Sequence, residues 1–119
     1  MKTFIVDIDG TICTDSRGRY ELARPMGSRI QYFNELFKQG NEIIYWTARG
    51  GNSGKDWTEL TKNQLEEWGV KYTELRMNKP SYDFWIDDKA YTDFDKKNLI
   101  VNLPETDKPV RVRVRIEPA

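Results

Sequence analysis

The sequence predicts an α/β protein: an open parallel sheet, three layers deep, with helices on both faces and no inserted second domain. Three observations carry that prediction. Apolar, β-branched runs alternate with segments of helical periodicity in the order strand, helix, strand, helix, strand, which is the pattern of parallel pairing through crossovers. Three of the runs end directly on a polar residue, Asp7, Thr47 and Asp87, and in an open parallel sheet such ends share one rim. The length, 119 residues, suits one domain and one core.

Each element has its own justification. Thr3–Ile8 is short, mostly apolar and β-branched, as a strand buried on both faces must be. Residues 13–25 are polar with Gly18 at their centre, which fits a loop or a small hairpin. Pro25 suits a helix start; Met26, Ile30, Phe33 and Phe37 then recur at helical spacing, and Gly40 is placed to end the helix in a left-handed cap. Glu42–Thr47 is the second strand. A glycine-rich loop follows, then a second helix over 55–68, with Leu60 and Leu65 inside, Trp57 and Trp68 at its ends, and Gly69 as its stop. Val70–Leu75 is a weaker third strand, Phe84–Ile86 a very short fourth and Leu99–Asn102 a fifth. Residues 1–105 are thus expected to form the single domain and 106–119 a tail. Within the tail, 109–118 alternates Val/Ile with Arg111, Arg113 and Arg115. The preferred reading is an edge strand whose charges discourage further pairing; an anionic polymer or a membrane surface is the other partner that such a cationic face fits.

Composition removes whole classes of function. The 19 Lys+Arg balance 19 Asp+Glu, so no basic excess points to nucleic acid. No stretch approaches membrane-spanning length, and the apolar run before Asp7 is too short for a signal-peptide core, so a cytoplasmic location without membrane association is expected. One cysteine, Cys13, excludes an internal disulfide; burial as small filler is preferred for it over a redox-sensitive role. With no histidine, Ser–His and Cys–His nucleophile pairs and the common zinc sites are excluded within the chain. Any metal would sit among oxygens, which favours Mg²⁺.

Two carboxylates, Asp7 and Asp9, close the first strand immediately before Gly10. Like charges so close are costly unless something offsets them, and a cation together with a phosphate ligand would do so. Asp7 suits a nucleophile, and Asp9, two residues on, an acid for a leaving oxygen and a base for water. On the dipeptide alone, a turn after a strand explains both. Thr47 can offer a phosphate its hydroxyl and backbone N–H, or simply end a strand. Lys79, in "NKP", can neutralise a phosphate or sit in solvent, and Lys89 is its rival for the same role. Asp87 and Asp88, after "FWI", repeat the paired acids of the opening.

Taken in order, "DIDGT" at 7–11, Thr47, Lys79 and "DD" at 87–88 resemble the four motifs of the haloacid dehalogenase (HAD) superfamily, in its phosphatase branch, over roughly residues 4–90. The resemblance implies a three-layer Rossmann-like, HAD-like catalytic domain without a cap, since the stretches 10–46 and 48–78 hold only one helix, its flanking strand and loops. It also implies Asp7 as nucleophile, Asp9 as general acid/base and Lys79 as the charge-neutralising lysine. Thr47 would bind the phosphate, with Ala48, Arg49 and Gly10 around it. Mg²⁺ would be held by Asp7, Asp9 through its backbone carbonyl, Asp87 and Asp88. The implied reaction is Mg²⁺-dependent hydrolysis of a phosphate monoester through an aspartyl-phosphate.

The substrate is expected to be a small phosphorylated molecule, a sugar phosphate of polysaccharide synthesis or a nucleotide, with a neighbouring subunit of a homo-oligomer as one way to cover an open site. A 5′-nucleotidase-like enzyme and a phosphoprotein phosphatase are the alternatives within the class. A phosphate-binding module that kept the fold without catalysis is the alternative outside it. Arg17, Arg19, Tyr20 and Arg24 in one loop, and Arg49 and Lys55 in "RGGNSGK", are either anion contacts or solvated loop charge. The second loop fails the P-loop template, since Asp56 follows Lys55 where Ser or Thr is needed, which excludes that class of NTPase.

Overall fold

The computed structural model describes residues 1–51 and 54–89. The chain divides into two compact units, Met1–Ser81 and Tyr82–Ala119, the second described only over 82–89. The expected fifth strand, the Val/Arg tail strand and the boundary at 105 lie outside the described residues.

Met1–Ser81 is a βαβαβ unit. Strand β1 (Thr3–Val6), helix α1 (Gly27–Lys38), strand β2 (Glu42–Trp46), helix α2 (Thr58–Glu67) and strand β3 (Glu74–Arg76) follow in chain order. The sheet is parallel in the order β1-β2-β3, with Ile5 beside Ile44 and Tyr45 beside Leu75. Ile43, Ile44 and Tyr45 make the central strand almost wholly buried. They account for the apolar, β-branched reading of "EIIYW".

Both helices end as their glycines predict. Gly40 and Gly69 have φ of +92° and +71°. The Gly40 and Asn41 N–H groups donate to the Phe37 and Leu36 carbonyls, and those of Gly69 and Val70 to Glu66 and Leu65. These paired bonds are Schellman closures, and the second tucks buried Val70 beside Leu65. Val70 is therefore spent on capping α2, and β3 starts only at Glu74, four residues later than the sequence predicts.

The expectation of helices on both faces is met only in part over the described residues. Both crossovers step the same way across the sheet, and right-handed crossovers then put α1 and α2 on one face. Asn34 of α1 ties the two together, donating to the Gly69 carbonyl (2.9 Å) and accepting from the Lys71 N–H (2.8 Å). The described residues thus supply one of the two expected helix layers, and Ile5 of β1 is 59% exposed. Phe84–Ile86 is not a strand, and all three residues are exposed. Among the described residues no helix is long and apolar enough to cross a membrane.

Candidate functional site

The carboxyl ends of the three strands carry the site. Asp7 follows β1, Thr47 follows β2, and Lys79 lies three residues beyond β3. The chain from β3 is drawn back over β2 by a Lys79 N–H bond to the Thr47 carbonyl (2.9 Å), just after Asn78 takes a left-handed φ of 61°. Lys79 Nζ then stands 3.8 Å from Asp7 Oδ1. Within this unit the structure thus puts Lys79 beside Asp7. The Thr11 hydroxyl donates to the other Asp7 oxygen at 3.4 Å. Asp7 remains partly open. Burial pushes its carboxyl above the ordinary range; Lys79 opposes this, and the neighbouring Asp9 charge adds to it.

The turn after β1 is closed on itself. The Ile8 carbonyl accepts the N–H groups of Thr11 and Ile12, and Gly10, at φ +82°, donates to the Cys13 carbonyl at 2.8 Å. Gly10 therefore shapes the turn, and its N–H is already engaged. Arg29, buried in α1, holds the turn from below with Nη1 bonds to the Gly10 and Thr11 carbonyls (3.3 and 3.0 Å). The helical spacing carried a signal for it: position 29 shares a face with Phe33 and Phe37, so an arginine there is a charge set in an apolar stripe.

Thr47 is buried. Its N–H is engaged with the Arg76 carbonyl (2.9 Å), and its hydroxyl accepts the Arg49 N–H (3.2 Å). A hydroxyl that accepts one bond still has a proton to donate. Ala48 is exposed, and its carbonyl receives the Gly51 N–H (3.0 Å) in the turn that follows. Gly50, at φ +84°, is required there, because a Cβ would collide with the Lys55 carbonyl.

Arg49, expected among the phosphate ligands, has a different place. It is 1% exposed, and its guanidinium clamps Asp9 with two bonds, Nε to Oδ2 at 3.0 Å and Nη2 to Oδ1 at 2.9 Å. Nη1 donates to Thr61 (3.1 Å) and Gln64 (2.6 Å) of α2, and Nη2 also faces the Cys13 sulfur at 3.9 Å. The Tyr20 ring lies on the guanidinium at 4.7 Å, and Trp57 stands edge-on to Tyr20. Gln64 also donates to the Tyr20 carbonyl at 2.6 Å. Burial, joined by the Asp9 charge, pushes the Cys13 thiol up to about 12 and raises the Tyr20 hydroxyl.

Asp87 and Asp88 belong to the second unit. Asp87 accepts the Lys89 N–H at 2.9 Å, the largest cause of a carboxyl below the ordinary range. Among the described residues no group of three or more acids or thiols comes together that could hold a metal. In the first unit the Asp7 carboxylate, partly open and under-compensated, is an oxygen donor that suits a hard cation. The Asp9 side chain is committed to Arg49.

No protein-family model matches the sequence, and no curated protein does. Two solved structures resemble it. A chain of a Pnkp1/Rnl/Hen1 complex superposes with a TM-score of 0.54 at 20% identity, over 87% of this chain and 35% of that one, and shares the fold alone. An MCSG target protein from Vibrio cholerae superposes with a TM-score of 0.68 at 30% identity, over 82% of this chain and 93% of that one. Likeness of that degree, over nearly the full length of the Vibrio cholerae protein, makes this chain a member of the same family as that protein.

Proposed function

We propose that the protein is an HAD-type phosphatase that hydrolyses a phosphate monoester through an aspartyl-phosphate on Asp7, working in the cytoplasm on a small phosphorylated substrate. The observation that carries this reading is the convergence of Asp7, Thr47 and Lys79 on one rim, with Lys79 Nζ 3.8 Å from Asp7 and Asp9 fixed two residues away. In the first step an Asp7 oxygen forms a bond to phosphorus as the ester P–O bond breaks, and Asp9 gives its proton to the leaving oxygen. In the second, water attacks the same phosphorus, Asp9 takes a proton from it, and the acyl-phosphate P–O bond breaks to free Asp7 and phosphate. Lys79 offsets the charge gathered on the phosphoryl oxygens, and the Thr47 hydroxyl has a proton to give one of them.

The three-layer HAD-like sheet and the metal belong to the same reading. Within the first unit Mg²⁺ would be held by Asp7 and the Asp9 backbone carbonyl, and when bound it supplies charge for the phosphoryl oxygens. Lone Cys13 suits a reducing compartment.

The test is hydrolysis of an aryl phosphate, with and without Mg²⁺, by wild type and Asp7→Asn. Magnesium-dependent turnover that vanishes in the variant is the expected result. Turnover that survives Asp7→Asn overturns the mechanism.

A further inference from the structure

We infer that Arg49 is a positioning residue that aims the Asp9 carboxyl at the leaving group, and that it does not contact the phosphoryl group itself. The inference rests on the phosphatase reading above and goes further, because it assigns a role to a residue outside the reacting atoms.

A guanidinium has five N–H donors in a rigid planar fork. Here each has an acceptor inside the protein. Nε and one Nη2 proton hold the two Asp9 oxygens, the Nη1 pair serves Thr61 and Gln64, and the second Nη2 proton faces the Cys13 sulfur. The Tyr20 ring covers the face of the guanidinium. A side chain 1% exposed, with its donors spent and its face covered, has nothing left to offer a substrate.

It does have something to offer Asp9. A free aspartate samples several rotamers, whereas a proton donor must sit within about 2.6–3.2 Å of the oxygen it protonates. A two-point contact with a planar fork removes that freedom. The fork is itself fixed from α2, since Gln64 bridges Arg49 and the Tyr20 carbonyl. Lysine keeps the charge but can meet only one carboxylate oxygen well.

The test separates acid catalysis from everything else by the leaving group. Nitrophenolate leaves without a proton, whereas an alkoxide needs one. Wild type and Arg49→Lys are compared on 4-nitrophenyl phosphate and on 2-glycerol phosphate, with Arg49→Ala measured in the presence and absence of guanidinium ion. The expected result for Arg49→Lys is a kcat loss on the alkyl ester about 100-fold larger than on the aryl ester, with KM little changed, and partial recovery of Arg49→Ala by guanidinium. Equal losses on both esters, or a loss carried by KM, overturn the inference. If wild type hydrolyses neither ester, the phosphatase reading fails on its own. The contact is then read from the Arg49 Nε–H proton resonance. A slowly exchanging signal that shifts and exchanges faster in Asp9→Asn upholds the clamp. A fast-exchanging signal, or one indifferent to Asp9→Asn, overturns it.

Discussion

Asp7 and Asp9 leave the same strand end two residues apart, and the protein holds them in opposite ways. Around Asp7 the side-chain contacts are long, a lysine at 3.8 Å and a hydroxyl at 3.4 Å, joined by the Ile8 backbone N–H and by open surface. Around Asp9 they are short and doubled, from a guanidinium that is itself fixed by a helix, a thiol and a ring. The contrast follows the chemistry each group would perform. A nucleophile must reach a phosphorus atom and then carry it, so it needs room and an uncompensated charge. A proton shuttle must return to one place twice, so it needs a fixed bearing. Rigidity and openness are divided between neighbours, within one five-residue motif.

The contrast can be broken most severely from the Asp9 side. Arg49→Ala removes one partner of a largely buried pair and strands Asp9, Thr61 and Gln64; urea unfolding should show a loss of about 3–5 kcal/mol. Lys79→Ala should cost under about 1 kcal/mol, because the Asp7 contact is longer and more open, while abolishing turnover. Equal costs would erase the distinction between the two surroundings.

The Asp7 side can be sharpened by pH. Burial holds the folded carboxyl above the ordinary aspartate value, so on raising the pH the unfolded chain ionises first and the folded state pays a penalty that is complete once the pH exceeds the folded value. Asp7→Asn removes that penalty. In EDTA at pH 7 the variant should melt above wild type, and the difference should shrink as the pH falls through the raised folded value and be gone below the ordinary aspartate value. A variant that melts lower at pH 7 would show that Asp7 is not held at a cost. The smallest effect is a silence. With Cys13 buried and its thiol pushed up to about 12, Ellman's reagent at pH 8 should react only as fast as the chain opens. Rapid labelling would mean that the Asp9 surroundings are looser than their hydrogen bonds imply.

Much of this was legible in the chain. "FIVDIDGT" announces a strand that stops on acids, although of β1 only Val6 is buried, and the two helix-ending glycines sit where their left-handed caps require them. What was not legible follows from tertiary partners. Thr61 and Gln64 share the buried side of α2 with Leu65, where polar residues need acceptors or donors of their own. That was the available signal that something charged is buried against them. Arg49 reads as a loop cation because its neighbours are glycines; only the fold shows that β2 delivers it inward to Asp9. The late start of β3 has the same character, since nothing in "VKYTEL" reveals that its valine is already engaged at the end of α2.

The Asp9–Arg49 clamp joins positions 40 residues apart. In the time order of folding it belongs to the long-range contacts, whose loop closure must be offset by strand pairing before they form. Helices that have formed while β1 and β2 are still apart would leave the carboxyl without a bearing. During refolding, proton transfer should therefore return last, in step with the joining of the two strands and behind the recovery of helical signal.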